Sequence, residues 1–260
     1  MKLRTQLSII IFSVFYLMVC GLSAQPKNQL SQVATIDALL AGAYDGIMNN
    51  EELHNFGNFG LGTFDKLNGE MIVYNGNIYQ IKYDGTVVKN NGPASTPFAV
   101  VVNFETDEVT KVNEINNIEK LIEELSSKIE NKNLPIAVKI SGNFEFVKVR
   151  SVPAQTKPYR PLAEVVKDQS VFEYNNISGT LIGFLLPEYF KSFNVSGLHI
   201  HFLSDDETKG GHLLDLKLAE GKVELDYLNK FYVYLPDDSE HFNNLDLQQD
   251  RSKELEKIEK

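Results

Sequence analysis

Between residues 57 and 104 the apolar positions fall in short runs separated by glycine-containing dipeptides. Met71 to Tyr74 and Ile78 to Tyr83 are apolar or β-favouring, and Asn75-Gly76 and Asp84-Gly85 bound them. Asn-Gly and Asp-Gly supply the positive φ of tight hairpin turns, so this segment predicts an antiparallel meander. Phe98 to Phe104 predicts a further buried strand. The period differs on either side. Within residues 31 to 50, Val33, Ile36, Leu39 and Leu40 share one helical face, and Gly46 suits a helix stop. Across residues 114 to 130, Ile115, Ile118, Leu121, Ile122, Leu125 and Ile129 recur at helical spacing and predict an amphipathic helix.

Strand-like patterns return at Ile136 to Ile140 and Phe144 to Val149, and a Pro-containing stretch from Pro153 to Leu162 reads as a linker or crossover. A second block of strand-like runs follows: Val171–Tyr174, Ser178–Leu186, Gly197–Leu203, His212–Leu218, Lys222–Leu228 and Phe231–Leu235. The tail DRSKELEKIEK is a charged helix or a solvated end. Strand-rich segments with a few helices make the expected class α+β, a mixed α/β chain with two β-rich parts. The division expected is residues 1–24 as a leader, 25–160 as an N-terminal mixed β-sheet domain with helices, and 161–260 as a C-terminal β-rich domain.

The leader changes the picture of where the protein works. Lys2 and Arg4 precede a nearly continuous apolar run from Ile9 to Val19, and Gly21-Leu22-Ser23-Ala24 offers small residues for cleavage before Gln25. That run is too short for a comfortable membrane span, so it predicts a signal peptide and an exported protein, periplasmic or secreted. Cys20, the one cysteine, sits where a lipid anchor attaches, with Val19 before it a poor fit to such a site. No disulfide framework is possible. The formal charge of −10 opposes nucleic-acid binding and adsorption to anionic lipid, so no nucleic acid and no stable membrane partner is expected unless Cys20 is lipidated.

Candidate chemistry concentrates in GLHIHFLSDDETKGGHLLD, residues 197 to 215, which holds three of the 5 histidines. In an alternating strand His199 and His201 point to one face. The polar stretch Ser204 to Gly211 reverses the chain, and an antiparallel partner strand brings His212 opposite them. Three imidazoles with an open fourth position fit a catalytic zinc site; the other reading is three surface or core histidines on a hairpin. Asp205 and Asp206 are either supports for that site or a polar turn, and Gly210-Gly211 read as turn residues. His54 and His241 match no motif and are expected at the surface.

The stretch from His199 to Asp206, followed by Gly210-Gly211-His212, resembles the zinc-binding signature of α-acetolactate decarboxylases. So do Gly60-Leu61-Gly62-Thr63-Phe64-Asp65 with Asn68-Gly69-Glu70, Gly142-Asn143-Phe144 through Arg150-Ser151-Val152, Pro158-Tyr159, and Gly179 to Phe184 with Pro187 and Tyr189. The resemblance spans residue 33 to the C-terminus. One departure is Glu207, where the family often carries a basic residue; it is expected to alter a surface contact near the turn.

The resemblance implies decarboxylation of 2-acetolactate to acetoin and CO2 with Zn2+ as cofactor, held by His199, His201 and His212. In the implied reaction a zinc held there would supply the Lewis acidity that takes up the electron pair as an enediolate. It implies that Arg150, whose planar fork suits a carboxylate, binds substrate or intermediate; spacing alone leaves it a strand-end surface residue. Glu70 becomes a candidate proton donor, Glu259 its partner or competitor with Glu256 a rival for that place, and Thr63 a hydrogen-bonding partner of substrate. The implied architecture is an N-terminal mixed sheet and a smaller C-terminal barrel-like lobe carrying the zinc, in a homodimer. Read without the resemblance, the residues also fit a cupin-like iron oxygenase or a non-catalytic secreted metal-binding module.

Overall fold

The computed structural model describes residues 27–90, 92–237 and 239–258. The leader with Cys20, and Glu259, lie outside the described residues.

The chain begins with β1 (Gln29–Val33), α1 (Ile36–Leu40), β2 (Met48–Asn49), α2 (Asn50–His54), β3 (Phe59–Thr63), β4 (Glu70–Tyr74), β5 (Asn77–Ile81) and β6 (Val87–Lys89). It continues with β7 (Ser95–Thr96), β8 (Ala99–Val102), β9 (Glu108–Ile115), α3 (Ile118–Lys128) and β10 (Ile136–Ser151). The last third is α4 (Leu162–Val165), β11 (Ser170–Leu186), β12 (Gly197–Ser204), β13 (Gly210–Tyr227), β14 (Lys230–Tyr234), α5 (Glu240–Asn243) and α6 (Ser252–Ile258). The architecture is mixed α+β and dominated by strands.

Seven strands form one sheet in the order β14-β1-β8-β3-β4-β5-β6. Only the β1–β14 pair is parallel, which makes the sheet mixed. The expected meander is β4 and β5, with β6 pairing on beyond. Both faces are covered, and alternation sorts them. Phe59, Leu61, Ile72, Tyr79, Val100 and Val102 face one core, while Met71, Val73, Ile78, Ala99 and Val101 face another. The first of these cores includes Ile182, Phe184 and Leu203 of the second sheet, so the two sheets pack on one another.

In the second sheet β11 joins β10 to β12, and β12 reaches β13, which returns to β10; β9 lies outside on β13. The ladder of β10, β11, β12 and β13 therefore closes on itself. Runs that read as pairs of strands in the sequence are single long strands here. Gly142 stands beside Gly179 on one side and Gly221 on the other, and Gly142 and Gly221 fall where the sequence runs broke. A Cβ at Gly179 would come 2.5 Å from the Phe202 ring. Glycine marks mid-strand bends and close approaches as well as turns, and a linear reading cannot separate the two.

Two further expectations shift. The helical pattern at Val33 to Leu40 starts late, because residues 29–33 are drawn between β14 and β8 as a strand. The helix begins after Thr35, whose hydroxyl accepts from Ala38 N and caps it. The helix expected over 114–130 spans Ile118–Lys128, capped by Asn117 accepting from Lys120 N at 2.8 Å. It lays Leu121 and Leu125 on the second sheet's core. Sheet membership also cuts across a division at residue 160. β10 precedes that point yet belongs with β11 and β13, and β14 follows it yet pairs with β1.

Candidate metal and active site

His201 and His212 face each other directly in the β12–β13 ladder, and Arg150 faces His212 in the β10–β13 ladder. One cross-strand row thus carries two imidazoles and a guanidinium. His199, two residues from His201, shares its face. Ring centroids lie 5.4 Å apart for His199–His201, 5.1 Å for His199–His212 and 5.2 Å for His201–His212, almost an equilateral triangle. One nitrogen of each lies within 4.8 Å of the others, and all three side chains are buried.

The glycines before His212 do more than turn the chain. They are the first two residues of β13. Gly211 has φ +145, and a Cβ there would meet the Arg150 carbonyl at 2.6 Å. Any side chain would push β13 from β10 and separate His212 from Arg150. The reversal itself is made by Ser204 and Asp206. The Asp206 carboxylate accepts from the Ser204 hydroxyl at 2.6 Å and from Thr208 N at 3.1 Å, so it builds the polar turn, in which Asp205 is exposed. Glu207 is exposed in that turn and accepts from the Tyr79 hydroxyl at 2.6 Å, tying the turn to β5.

Electrostatics favour metal ligation. Burial, reinforced by His199, holds His201 well below the ordinary imidazole range; burial, then Arg150 and the other imidazoles, does the same to His212. Both rings are neutral near pH 7, the form that donates a lone pair. His201 Nδ1 lies 3.0 Å from the Met71 carbonyl. A neutral ring must donate there, which leaves the Nε2 lone pair facing the cluster. That nitrogen is buried and makes no hydrogen bond. Such an atom costs free energy unless a ligand meets it, so the site fits a metal ion.

The first sheet brings the remaining groups. Thr63 on β3 and Glu70 on β4 are cross-strand partners, and Glu70 Oε2 lies 3.7 Å from His201 Nε2. The Thr63 hydroxyl donates to the Gly69 carbonyl at 2.7 Å. Its single proton is committed, so toward a ligand it can only accept. Arg150 is buried, with Nη1 donating to the Ile258 carbonyl at 2.9 Å and to Gln169 Oε1 at 3.2 Å. Its Nη2 lies 3.4 Å from His212 Nε2.

These groups line one cavity of about 50 Å3 with Ile36, Leu39, Leu162 and Val166 as an apolar cover. One wall is cationic and imidazole-rich, one carries a carboxylate, and the rest excludes water. Glu256 is exposed on α6 and lines a different cavity with Asp37 and Lys191. Sequence reading did not single out Gln169, the Met71 and Ile258 carbonyls or the apolar cover. Backbone carbonyls carry no residue signal, and Gln169 is adjacent to Arg150 only through the register of β10 with β11.

The sequence model of the alpha-acetolactate decarboxylase family matches residues 30–249. The alpha-acetolactate decarboxylase of Methanosarcina mazei is 46% identical over 243 residues, 94% of this chain and 84% of that protein. That of Brevibacillus brevis is 41% identical over 234 residues, 90% of this chain and 82% of its own. The crystal structure of the Bacillus subtilis alpha-acetolactate decarboxylase superposes with a TM-score of 0.85 at 35% identity, covering 89% of this chain and 99% of that one.

Proposed function

The chain belongs to the alpha-acetolactate decarboxylase family and is a carboxy-lyase that decarboxylates 2-acetolactate, and from that premise we propose that it works with a zinc ion held by His199, His201 and His212. The observation that carries this reading is the buried triad of neutral imidazoles sharing one cavity with Arg150 and Glu70. Zinc bound there would supply Lewis acidity for the charge that develops on the substrate oxygens as CO2 leaves.

The protein's own groups do the rest. Arg150 offers a permanent positive charge and a planar pair of donors to the substrate carboxylate. Thr63 accepts from the substrate hydroxyl. Glu70 carries the proton that reaches the carbon left electron-rich by loss of CO2, and Glu259 is its partner or competitor in that transfer. The apolar cover keeps water from that carbon and lowers the dielectric around the charged groups. The barrel-like character of the second sheet, with its four-strand closed ladder, supports a rigid frame for the imidazoles.

The same reading extends to assembly and address. A homodimer is supported by edge strand β14, where Phe231 and Tyr232 are exposed. Export rests on the leader alone, with cleavage or lipidation at Cys20 as its two routes.

The test is acetoin release from racemic acetolactate by the chain starting at Gln25, as purified, after chelation, and after zinc is restored. Activity that falls with the chelator and returns with zinc is expected. Turnover that persists in metal-free protein would remove the triad from the reaction. Restoration by iron with oxygen uptake would move the chemistry to an oxygenase.

A further inference from the structure

We propose that Gln169 is a positioning residue for this reaction, acting through Arg150; the proposal rests on the reading of Arg150 as the carboxylate-binding group. A guanidinium on a flexible stem binds a carboxylate well only when its fork is already aimed, because otherwise the ordering of the side chain opposes binding. Arg150 lies at the end of β10 with its terminal nitrogens differently placed. Nη1 is held by two acceptors from outside its own strand, the Ile258 carbonyl at 2.9 Å and Gln169 Oε1 at 3.2 Å, and Nη2 is turned toward His212. Two acceptors on one nitrogen fix the plane of the fork as well as its direction.

The fold puts Gln169 there for a definite reason. It follows the 3-10 turn Val166–Asp168 and immediately precedes β11. Its backbone N donates to the Val166 carbonyl at 3.2 Å, which closes that turn. The next two residues, Ser170 and Val171, pair with Ser151 and Arg150. Exposed Arg160 and Asp168 bridge at 2.9 Å over the same turn. The amide is therefore delivered from a constrained segment.

Its chemistry also matters. The Gln169 amide and the Ile258 carbonyl are neutral acceptors. They orient the guanidinium and leave its charge for an anionic substrate. A carboxylate at position 169 would make a stronger bond to Arg150 while cancelling that charge. Glutamine and glutamate have nearly the same shape, so this pair separates positioning from packing.

The experiment compares the full-length zinc-loaded enzyme with Gln169→Ala, Gln169→Glu, Arg150→Lys, Arg150→Ala and the double variant Gln169→Ala/Arg150→Lys. Measured quantities are kcat, KM for acetolactate and zinc content, with Gln169→Asn as the substitute should the alanine variant not fold. The expected result is a KM raised about tenfold in Gln169→Ala, kcat reduced less, and zinc content unchanged. Gln169→Glu should not restore KM, and the double variant should be within about twofold of Arg150→Lys, since residues acting through one contact are not additive. Rescue by Gln169→Glu, or a double variant that loses the product of the two single effects, overturns the proposal. Silent Gln169 variants beside an impaired Arg150→Lys overturn the positioning role alone. Full activity in Arg150→Lys and Arg150→Ala instead overturns the reading of Arg150 itself.

Discussion

Replacing His201 by asparagine tests the triad most sharply, because the structure lets one function of the ring be removed and the other kept. His201 Nδ1 serves the Met71 carbonyl at 3.0 Å, and Nε2 faces the cluster. An asparagine amide nitrogen sits near the Nδ1 position and retains the bond to Met71, while nothing reaches the Nε2 position. Four-ligand zinc sites in small domains bind with about 10–16 kcal/mol, so one ligand is worth roughly 2.5–4 kcal/mol, or about a hundredfold to a thousandfold in affinity. The metal-free variant should melt close to metal-free wild type. His201→Ala should melt lower by about 1–3 kcal/mol of stability, because the buried Met71 carbonyl loses its donor. Zinc affinity is read by competition with a chromophoric chelator, stability by thermal melts of the metal-free proteins, and turnover by acetoin release. A His201→Asn enzyme that holds zinc as tightly as wild type and turns over at full rate would refute the assignment of Nε2 as a ligand.

Buried Asp226 is pushed up to about 6 by burial and then by Asp107 and Glu105, while its carboxylate accepts from Glu105 N at 3.0 Å. Its folded pKa exceeds the unfolded one, so the stability it contributes is present below pH 4 and lost as pH rises through about 6. Asp226→Asn should therefore be more stable than wild type at pH 8 by about 1–3 kcal/mol, with the advantage gone near pH 4; a difference in melting temperature that does not change with pH would contradict this. The cavity of about 50 Å3 is a third of the roughly 150 Å3 void that takes up benzene in an engineered protein, and acetolactate is larger than benzene. Substrate entry must displace the apolar cover, and Leu162→Ala should raise kcat/KM for the ethyl homologue, acetohydroxybutyrate, relative to acetolactate by about tenfold. An unchanged ratio would place Leu162 away from the substrate's alkyl group.

How much of this was legible in the sequence depended on distance along the chain. The β4–β5 hairpin and the helix at Ile118–Lys128 follow from Asn75-Gly76 and from apolar spacing, which act over a few residues. The face shared by His199 and His201 follows from strand geometry alone. The long strands β10 and β13 read as separate runs, because Gly142 and Gly221 look like interruptions until they are seen side by side. The extended conformation of β1 was likewise hidden, since its partners β8 and β14 come from positions near 100 and 230.

The amino-acid sequence by itself determined the family, the three-histidine cluster and the antiparallel reversal that brings His212 back opposite His199 and His201. All of these rest on motifs or on neighbours within a single hairpin. Only the tertiary structure decided that Arg150 completes the histidine row, that Thr63 and Glu70 arrive from the other sheet, and that Gln169 and the Ile258 carbonyl hold the guanidinium. The physical reason is that strand register and sheet-on-sheet packing are set by the sum of many weak, sequence-distant contacts, and no local pattern of residues encodes that sum.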